Sequence, residues 1–333
     1  MWIRLGFKGR HPFLVVITMA WLVSVPVLSF SAPLKVVLAC GVQSRPVLEF
    51  VQNQGYFTGQ GLDVTLNSYV MGKEGVERMF AGESDFAISA TGPVAHLAMD
   101  RQDLRVVASL YHHSNISQIV ALRNRGISGP KDLRGKRIGV SQNTMPHFFA
   151  DMLLSKNGIP SSEVTWVFRD GEALFDLLTS DGADAIASVS YPAIVLARKL
   201  GSDKAVAFGD AGLAFNNMLL VSKQETLARR PEAADRLLRA LLQAEEYLAA
   251  HPDKLPRLLF PDQKINDLDA RLMASDYHFK IGLPVVLLRA MEEFSRWSME
   301  NGFSKPKANT NFSELIDAAP LRRVAPETVA IGK

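Results

Sequence analysis

From Asp132 to Gly158 the chain reads D-L-R-G-K-R-I-G-V-S-Q-N-T-M-P-H-F-F-A-D-M-L-L-S-K-N-G, and a change of pattern inside this stretch decides the fold class. A charged turn, Asp132 to Arg137, releases the short apolar run Ile138 to Val140, which its flanks and β-branched content predict as a buried strand. Four small polar residues follow, Ser141, Gln142, Asn143 and Thr144. Behind Pro146, residues Phe148, Phe149, Met152 and Leu153 recur at helical spacing until Asn157-Gly158 closes the run. The unit is strand, polar loop, helix. Unpaired N–H groups and the positive dipole end of a helix favour anions, so hydroxyls and amides placed just ahead of it can seat a small anion; a plain capping loop uses the same residue types.

The junction recurs twice. Phe86 to Ile88 is followed by Ser89, Ala90 and Thr91 and a helix from Pro93, and Ala185 to Val189 carries Ser188 into Ser190, Tyr191 and Pro192. Other predicted strands are Lys35 to Ala39, the run up to Leu66, Val106 to Leu110, Ile119 to Leu122, Val164 to Phe168 and Met218 to Val221. Helices are predicted from Pro46 to Val51, over Gly72 to Phe80, around Leu174 to Leu178, over Pro231 to Ala250, Asp267 to Phe279 and Pro284 to Asn301, with a short one over Phe312 to Ala318 and a frayed end from Arg322. Such alternation implies an α/β protein with mostly parallel sheets, whose ligands bind at the strand C-terminal ends. The glycines of residues 55–61 do not spell G-x-G-x-x-G, so dinucleotide binding is not expected. Tyr111 to Asn115 reads as a polar aromatic loop in which His112 is a ligand candidate; without H-E-x-x-H or a nearby carboxylate pair, no metal and no cofactor is expected.

At 333 residues, 47% of them hydrophobic, the chain can form two lobes with a substantial core. The N-terminus reads as an export signal over residues 1–31: Arg4, Lys8 and Arg10 precede an apolar run from Phe13 to Leu28, and cleavage after Ser31 puts small residues where they are needed. An uncleaved anchor is the competing reading, but the run falls short of the ~20 residues a span prefers and contains Pro26. The whole chain carries a net charge of +3, and the signal alone holds three basic and no acidic residues, so the mature chain has no charge excess and no nucleic-acid surface is expected. The one cysteine, Cys40, rules out an internal disulfide. Its setting, V-L-A-C, allows lipid anchoring as an alternative to a small buried residue, although Leu38 is large for a processing site.

Four pieces in order, Gly55-Tyr56-Phe57 with Gly61-Leu62-Asp63-Val64, then Ala81 to Ile88, then Pro130 to Val140, then Asp181 to Ile186, give the chain a family pattern. It resembles the periplasmic solute-binding proteins of ABC importers for sulfonates, taurine, nitrate and thiamine-precursor pyrimidines. The resemblance implies a two-lobed type II periplasmic-binding fold with two crossing hinge strands and a helical C-terminal region. Lobe 1 would comprise residues 32–117 plus 217–333, and lobe 2 residues 118–216. Ligand would sit on Gln43, Ser44 and Arg45, on Ser89 to Thr91, on Ser141 to Thr144 and on Ser188 to Tyr191. The implied partners are a small solute and an ABC permease with its ATPase at the inner membrane, the chain itself acting as a periplasmic monomer. Relatives often have a glycine-containing loop where this chain has Gln142-Asn143, and Trp where it has Tyr191, so the ligand can differ.

The residues themselves agree in outline, since neutral donors and helix N-termini can hold a sulfonate-like anion, with Arg45 adding a charge-assisted contact if it points inward. Tyr191, Tyr111 or Phe57 could stack on a planar ligand. Two other readings stay open. Gly139-Val140-Ser141-Gln142-Asn143 approximates the G-x-S-x-G nucleophile elbow, with Asp184 or Asp210 and His251 or His278 following, although Asn143 stands where the tight turn wants glycine. The chain could instead serve as the extracytoplasmic input of a receptor, through a partner.

Overall fold

The computed structural model describes residues 32–332 apart from 114, 116, 262–265 and 306–309, and only the backbone at 190–192. The expected signal, residues 1–31, lies outside this set. In chain order the first half comprises β1 (Leu34–Gly41), α1 (Arg45–Asn53), α2 (Tyr56–Gly59), β2 (Leu62–Tyr69), α3 (Gly72–Phe80), β3 (Phe86–Ala90), α4 (Thr91–Ala98), β4 (Leu104–His113), β5 (Ser117–Leu122), β6 (Arg137–Val140) and α5 (Met145–Lys156). There follow β7 (Thr165–Phe168), α6 (Glu172–Thr179), β8 (Ala185–Val189), α7 (Ser190–Leu200), β9 (Ala205–Phe208), β10 (Asn216–Lys223), α8 (Gln224–Arg229), α9 (Pro231–Ala250), α10 (Leu255–Leu259), α11 (Asp267–Ala274), β11 (Tyr277–Gly282), α12 (Val285–Glu300) and α13 (Ala319–Val324).

Two sheets organise these elements: a six-stranded one ordered β11-β4-β10-β3-β1-β2 and a five-stranded one ordered β7-β6-β8-β5-β9. In the first, β10 runs antiparallel to both β3 and β4, and β1, β2 and β3 are parallel. In the second, β6, β7 and β8 are parallel and β5 runs against β8 and β9. The chain passes between sheets twice, from β4 to β5 and from β9 to β10. Both passages join the edges where the parallel strands end, so those two edges face one another.

The opposite edges are pinned by a device that the family motifs encode. Asp85, at the start of β3, accepts the backbone N–H of Val37 at 2.8 Å and a guanidinium N–H of Arg230 at 2.5 Å. Asp184, just before β8, accepts the backbone N–H of Arg137 at 2.8 Å, and the Arg137 guanidinium donates to its second oxygen at 2.9 Å. Each carboxylate thus fixes the register of its strand against a neighbour, a structural duty far from the strands' C-terminal ends.

Three expectations need correction. Asp267 to Phe279 is not one helix: α11 stops at Ala274, and Tyr277 to Gly282 is a strand paired with β4, because Tyr277 and Phe279 alternate onto one face over Tyr111 and His113. Phe312 to Ala318 is irregular, with Ile316 bridging to Val106, and the helix comes next, at α13. The end is docked instead of frayed, since Val329 bridges Leu283 and is buried. Cys40 is fully buried inside β1, where its thiol lies 3.5 Å from the Ser68 hydroxyl; processing there would remove most of β1 from the sheet.

Candidate functional site

The facing edges carry the three junctions that sequence spacing singled out, but only Ser141 to Thr144 is a loop: β3 runs straight into α4 at Thr91 and β8 into α7 at Ser190, so Ser89, Ala90 and Ser188 are strand residues. On the six-stranded sheet, Ser44 is buried and its hydroxyl meets the Tyr111 hydroxyl at 3.0 Å. Arg45 opens α1 and turns along it, donating to Glu49 at 2.6 Å and to the Ser68 hydroxyl at 2.8 Å, so its charge is already met by an i,i+4 carboxylate. Gln43 is exposed at the loop tip, beside the exposed Val42. Thr91 is fully buried; its hydroxyl accepts the Asn217 N–H at 2.9 Å and faces the Asn217 carbonyl at 3.2 Å. Ala90 beside it is half-buried. His112 sits on β4 and not in a loop, stacked on His278 of β11 with ring centroids 4.8 Å apart.

On the five-stranded sheet, the loop before α5 is internally tied. The Ser141 hydroxyl donates to the Arg169 carbonyl at 3.1 Å, and that of Thr144 donates to the Ser141 carbonyl at 2.7 Å. Both hydroxyl protons are therefore spent within the structure, although Thr144, at the N-cap of α5, makes no side-chain cap to the helix N–H groups. Asn143 adopts a left-handed conformation, φ 54°, which Asn tolerates. Its N–H donates to His147 Nδ1 at 3.2 Å and its Oδ1 accepts the Ser298 hydroxyl of α12 at 3.0 Å. Gln142 is exposed, Ser188 is buried at the end of β8, and the side chains of Ser190 and Tyr191 lie outside the described residues.

Helix α12 packs against both halves of this edge. Phe294 lies against Phe148 of α5 and beneath Gly92 of α4, where an added Cβ would come within 3.2 Å of its ring and 3.4 Å of Met145 Sδ. Trp297 donates its indole N–H to Asp151 at 2.7 Å. His147 is enclosed by Trp166, Phe168, Trp297 and Phe303, and this burial lowers its pKa to about 4, so the ring is neutral and accepts the Asn143 N–H. One side of the cleft is thereby closed by apolar packing.

Several residues at this edge escaped sequence reasoning. Among the described residues, several buried polar atoms have no hydrogen-bond partner in the protein, and those of Ser89 Oγ, His113 Nδ1, Ser117 Oγ, Asn216 Oδ1 and Asn217 Nδ2 come from strand ends on the facing edges. Buried groups left unpaired are uncommon; others, such as those of Ser84 and Ser295, lie elsewhere, but these five line the two facing edges and could hydrogen-bond a polar ligand there. Burial, aided by His112, lowers the His113 pKa to about 3, so it too is neutral. Asn216-Asn217 at the start of a strand was the available signal, since Asn is depleted in strands.

Other expectations fail on geometry. Tyr111 is already stacked on Phe279 at 4.8 Å and Phe57 is core, so neither offers a ring face to a ligand. The hydrolase constellation is not assembled: Ser141 follows the end of β6 while Asp184 pairs with Arg137 at its start, Asp210 pairs with Lys156 at 2.5 Å, His251 caps its own helix through Tyr247, and His278 stacks on His112. Among the described residues no group of three or more His, Cys, Asp or Glu could hold a metal, and no helix is long and apolar enough to cross a membrane.

This architecture, two α/β lobes joined by two passages, is the periplasmic-binding-protein fold. The chain superposes with a TM-score of 0.76 on a structure described as a candidate periplasmic sulfonate-binding protein, SsuA, of Methylobacillus flagellatus, at 14% identity over 89% of this chain and 95% of that one. The periplasmic nitrate-binding protein NrtA of Synechocystis matches with a TM-score of 0.63 at 11% identity, covering 89% of each chain. At such identities the likeness is one of fold. In sequence, a candidate binding protein of Brucella abortus is 23% identical over 236 residues, 68% of this chain and 70% of that protein. The NMT1/THI5-like family model matches residues 50–255, more than half of the chain, and the protein belongs to that family.

Proposed function

We propose that this protein is the extracytoplasmic solute-binding component of an ABC import system, holding a small anionic or polar organic solute between its lobes. The observation that carries the reading is the row of unpartnered buried polar atoms, Ser89, His113, Ser117, Asn216 and Asn217, on the edges where the two sheets face. A solute would complete their hydrogen bonds. With Arg45 committed to Glu49 and both histidines neutral, recognition rests on neutral donors and helix ends, suited to a sulfonate-, taurine- or nitrate-like group. In this reading the lobes comprise residues 32–117 with 217–333, and 118–216; the chain is exported by its signal, works as a monomer in the periplasm and catalyses no reaction. Closure around the solute creates the surface that a permease reads, a population shift driven by the solute's preference for the closed form.

A thermal-shift screen of the mature chain against sulfonates, nitrate, taurine, phosphonates, bicarbonate and pyrimidines tests it. At least one class is expected to raise the melting temperature in a concentration-dependent way. A broad library without a single stabilising solute overturns the reading, as does esterase turnover that Ser141→Ala abolishes.

A further inference from the structure

Away from the candidate site, a charged pair joins the two lobes. Arg198 lies in the last turn of α7, which packs on β5, β8 and β9 of one sheet. Its guanidinium is ion-paired with Asp269, in the first turn of α11, which packs on α10 and through it on α1 of the other lobe. Asp269 is held for the role: its N–H donates to the Asn266 side chain at 2.9 Å, and the Asn266 amide donates to its second oxygen at 3.0 Å. Its side chain is 17% exposed, whereas the apolar neighbours Val195, Leu268 and Leu272 remain substantially open to solvent. This contact is thin. The contact of α12 with α5 is aromatic, Phe148 lying against Phe294 and Trp297.

We propose that Arg198 and Asp269 form a latch that holds the lobes together before any solute arrives, and that they act as positioning residues for solute affinity without touching the solute. The consequence for affinity rests on the solute-binding reading above; the latch itself does not. A partly exposed ion pair shifts an equilibrium by up to about fivefold. That is negligible against folding but decisive for an open–closed equilibrium whose states differ little. Solute affinity scales with the fraction of chain already competent to bind, so losing the latch weakens binding by the same factor.

Small-angle X-ray scattering on the unliganded mature chain tests this without a solute. Arg198→Glu and Asp269→Arg, each creating a like-charge pair, are expected to raise the radius of gyration, and raising salt should move the wild type the same way. The double variant, which exchanges the charges, should return the wild-type value. Asp269→Asn, mild enough to keep the fold, should give a smaller shift of the same sign, and circular dichroism checks that each variant is folded. Radii unchanged in all three single variants, or a double variant as expanded as the singles, overturn the latch. A failed solute screen would leave this result untouched.

Discussion

The Thr91 hydroxyl accepts the backbone N–H of Asn217 at 2.9 Å, tying the end of β3 to the strand that re-enters the first lobe 126 residues later. Thr91→Val keeps the shape and removes the acceptor, leaving a buried N–H unpaired. It should cost about 1–3 kcal/mol in urea unfolding, and Thr91→Ser should recover most of that. Equal stability of Val and wild type would contradict the tie.

Gly72 stands where α3 begins against Ser89: a Cβ there would lie 2.8 Å from Ser89 Oγ, 3.0 Å from its Cα and 3.1 Å from the Ile88 carbonyl oxygen. Backbone cannot swing away as a side chain can. Gly72→Ala is expected to lose about 1–3 kcal/mol by overpacking and to weaken solute binding at Ser89. Gly59→Ala, with nothing within 4 Å of its Cβ, is the control and should be close to neutral on chemical denaturation.

Asn143 combines a left-handed backbone with a hydrogen bond to Ser298. Asn143→Gly relieves the first and loses the second, whereas Asn143→Ala loses the bond and adds roughly 1 kcal/mol of backbone cost. Melting temperatures should therefore fall further for Ala than for Gly; the reverse order would mean the backbone conformation carries no cost.

His113 and His147 are buried, with pKa values lowered to about 3 and about 4. An unfolded chain titrates them near 6.5. Above that value neither state binds the protons and their contribution is complete. As pH falls below it the unfolded state takes protons that the folded state refuses, so stability declines towards pH 4, by up to about 1.4 kcal/mol per pH unit for each histidine. Urea titrations between pH 7.5 and 5 should show this slope, and His147→Gln should flatten it. An unchanged slope would remove His147 from the account.

Cys40 is buried with its thiol pKa raised by that burial, against the lowering effect of its hydrogen bond with Ser68. Ellman's reagent should leave the native chain unlabelled and react fully once urea unfolds it, making labelling a direct measure of opening of β1. Rapid labelling under native conditions would place Cys40 outside the sheet.

The spacing of residues 132–158 made β6, its polar loop and α5 legible, because strand and helix periods are local properties of the chain. At the other two junctions strand and helix were equally legible, but no loop separates β3 from α4 or β8 from α7. Where a strand is chosen by its partner, spacing failed: Tyr277 to Gly282 fits a helical stripe as well as a strand until β4 is beside it. Ser141 and Thr144 looked like donors to a ligand, yet their protons go to carbonyls at Arg169 and Ser141.

By itself, then, the sequence determined the α/β alternation and the small polar residues where strand gives way to helix, features written in neighbouring residues. Only the tertiary structure decided which polar groups remain unspent. Ser44 and Thr91 find partners 67 and 126 residues away, while Ser89, His113, Ser117, Asn216 and Asn217 keep buried atoms without one. A hydroxyl's availability depends on where its proton points once distant strands have met, and no local pattern of residues encodes that.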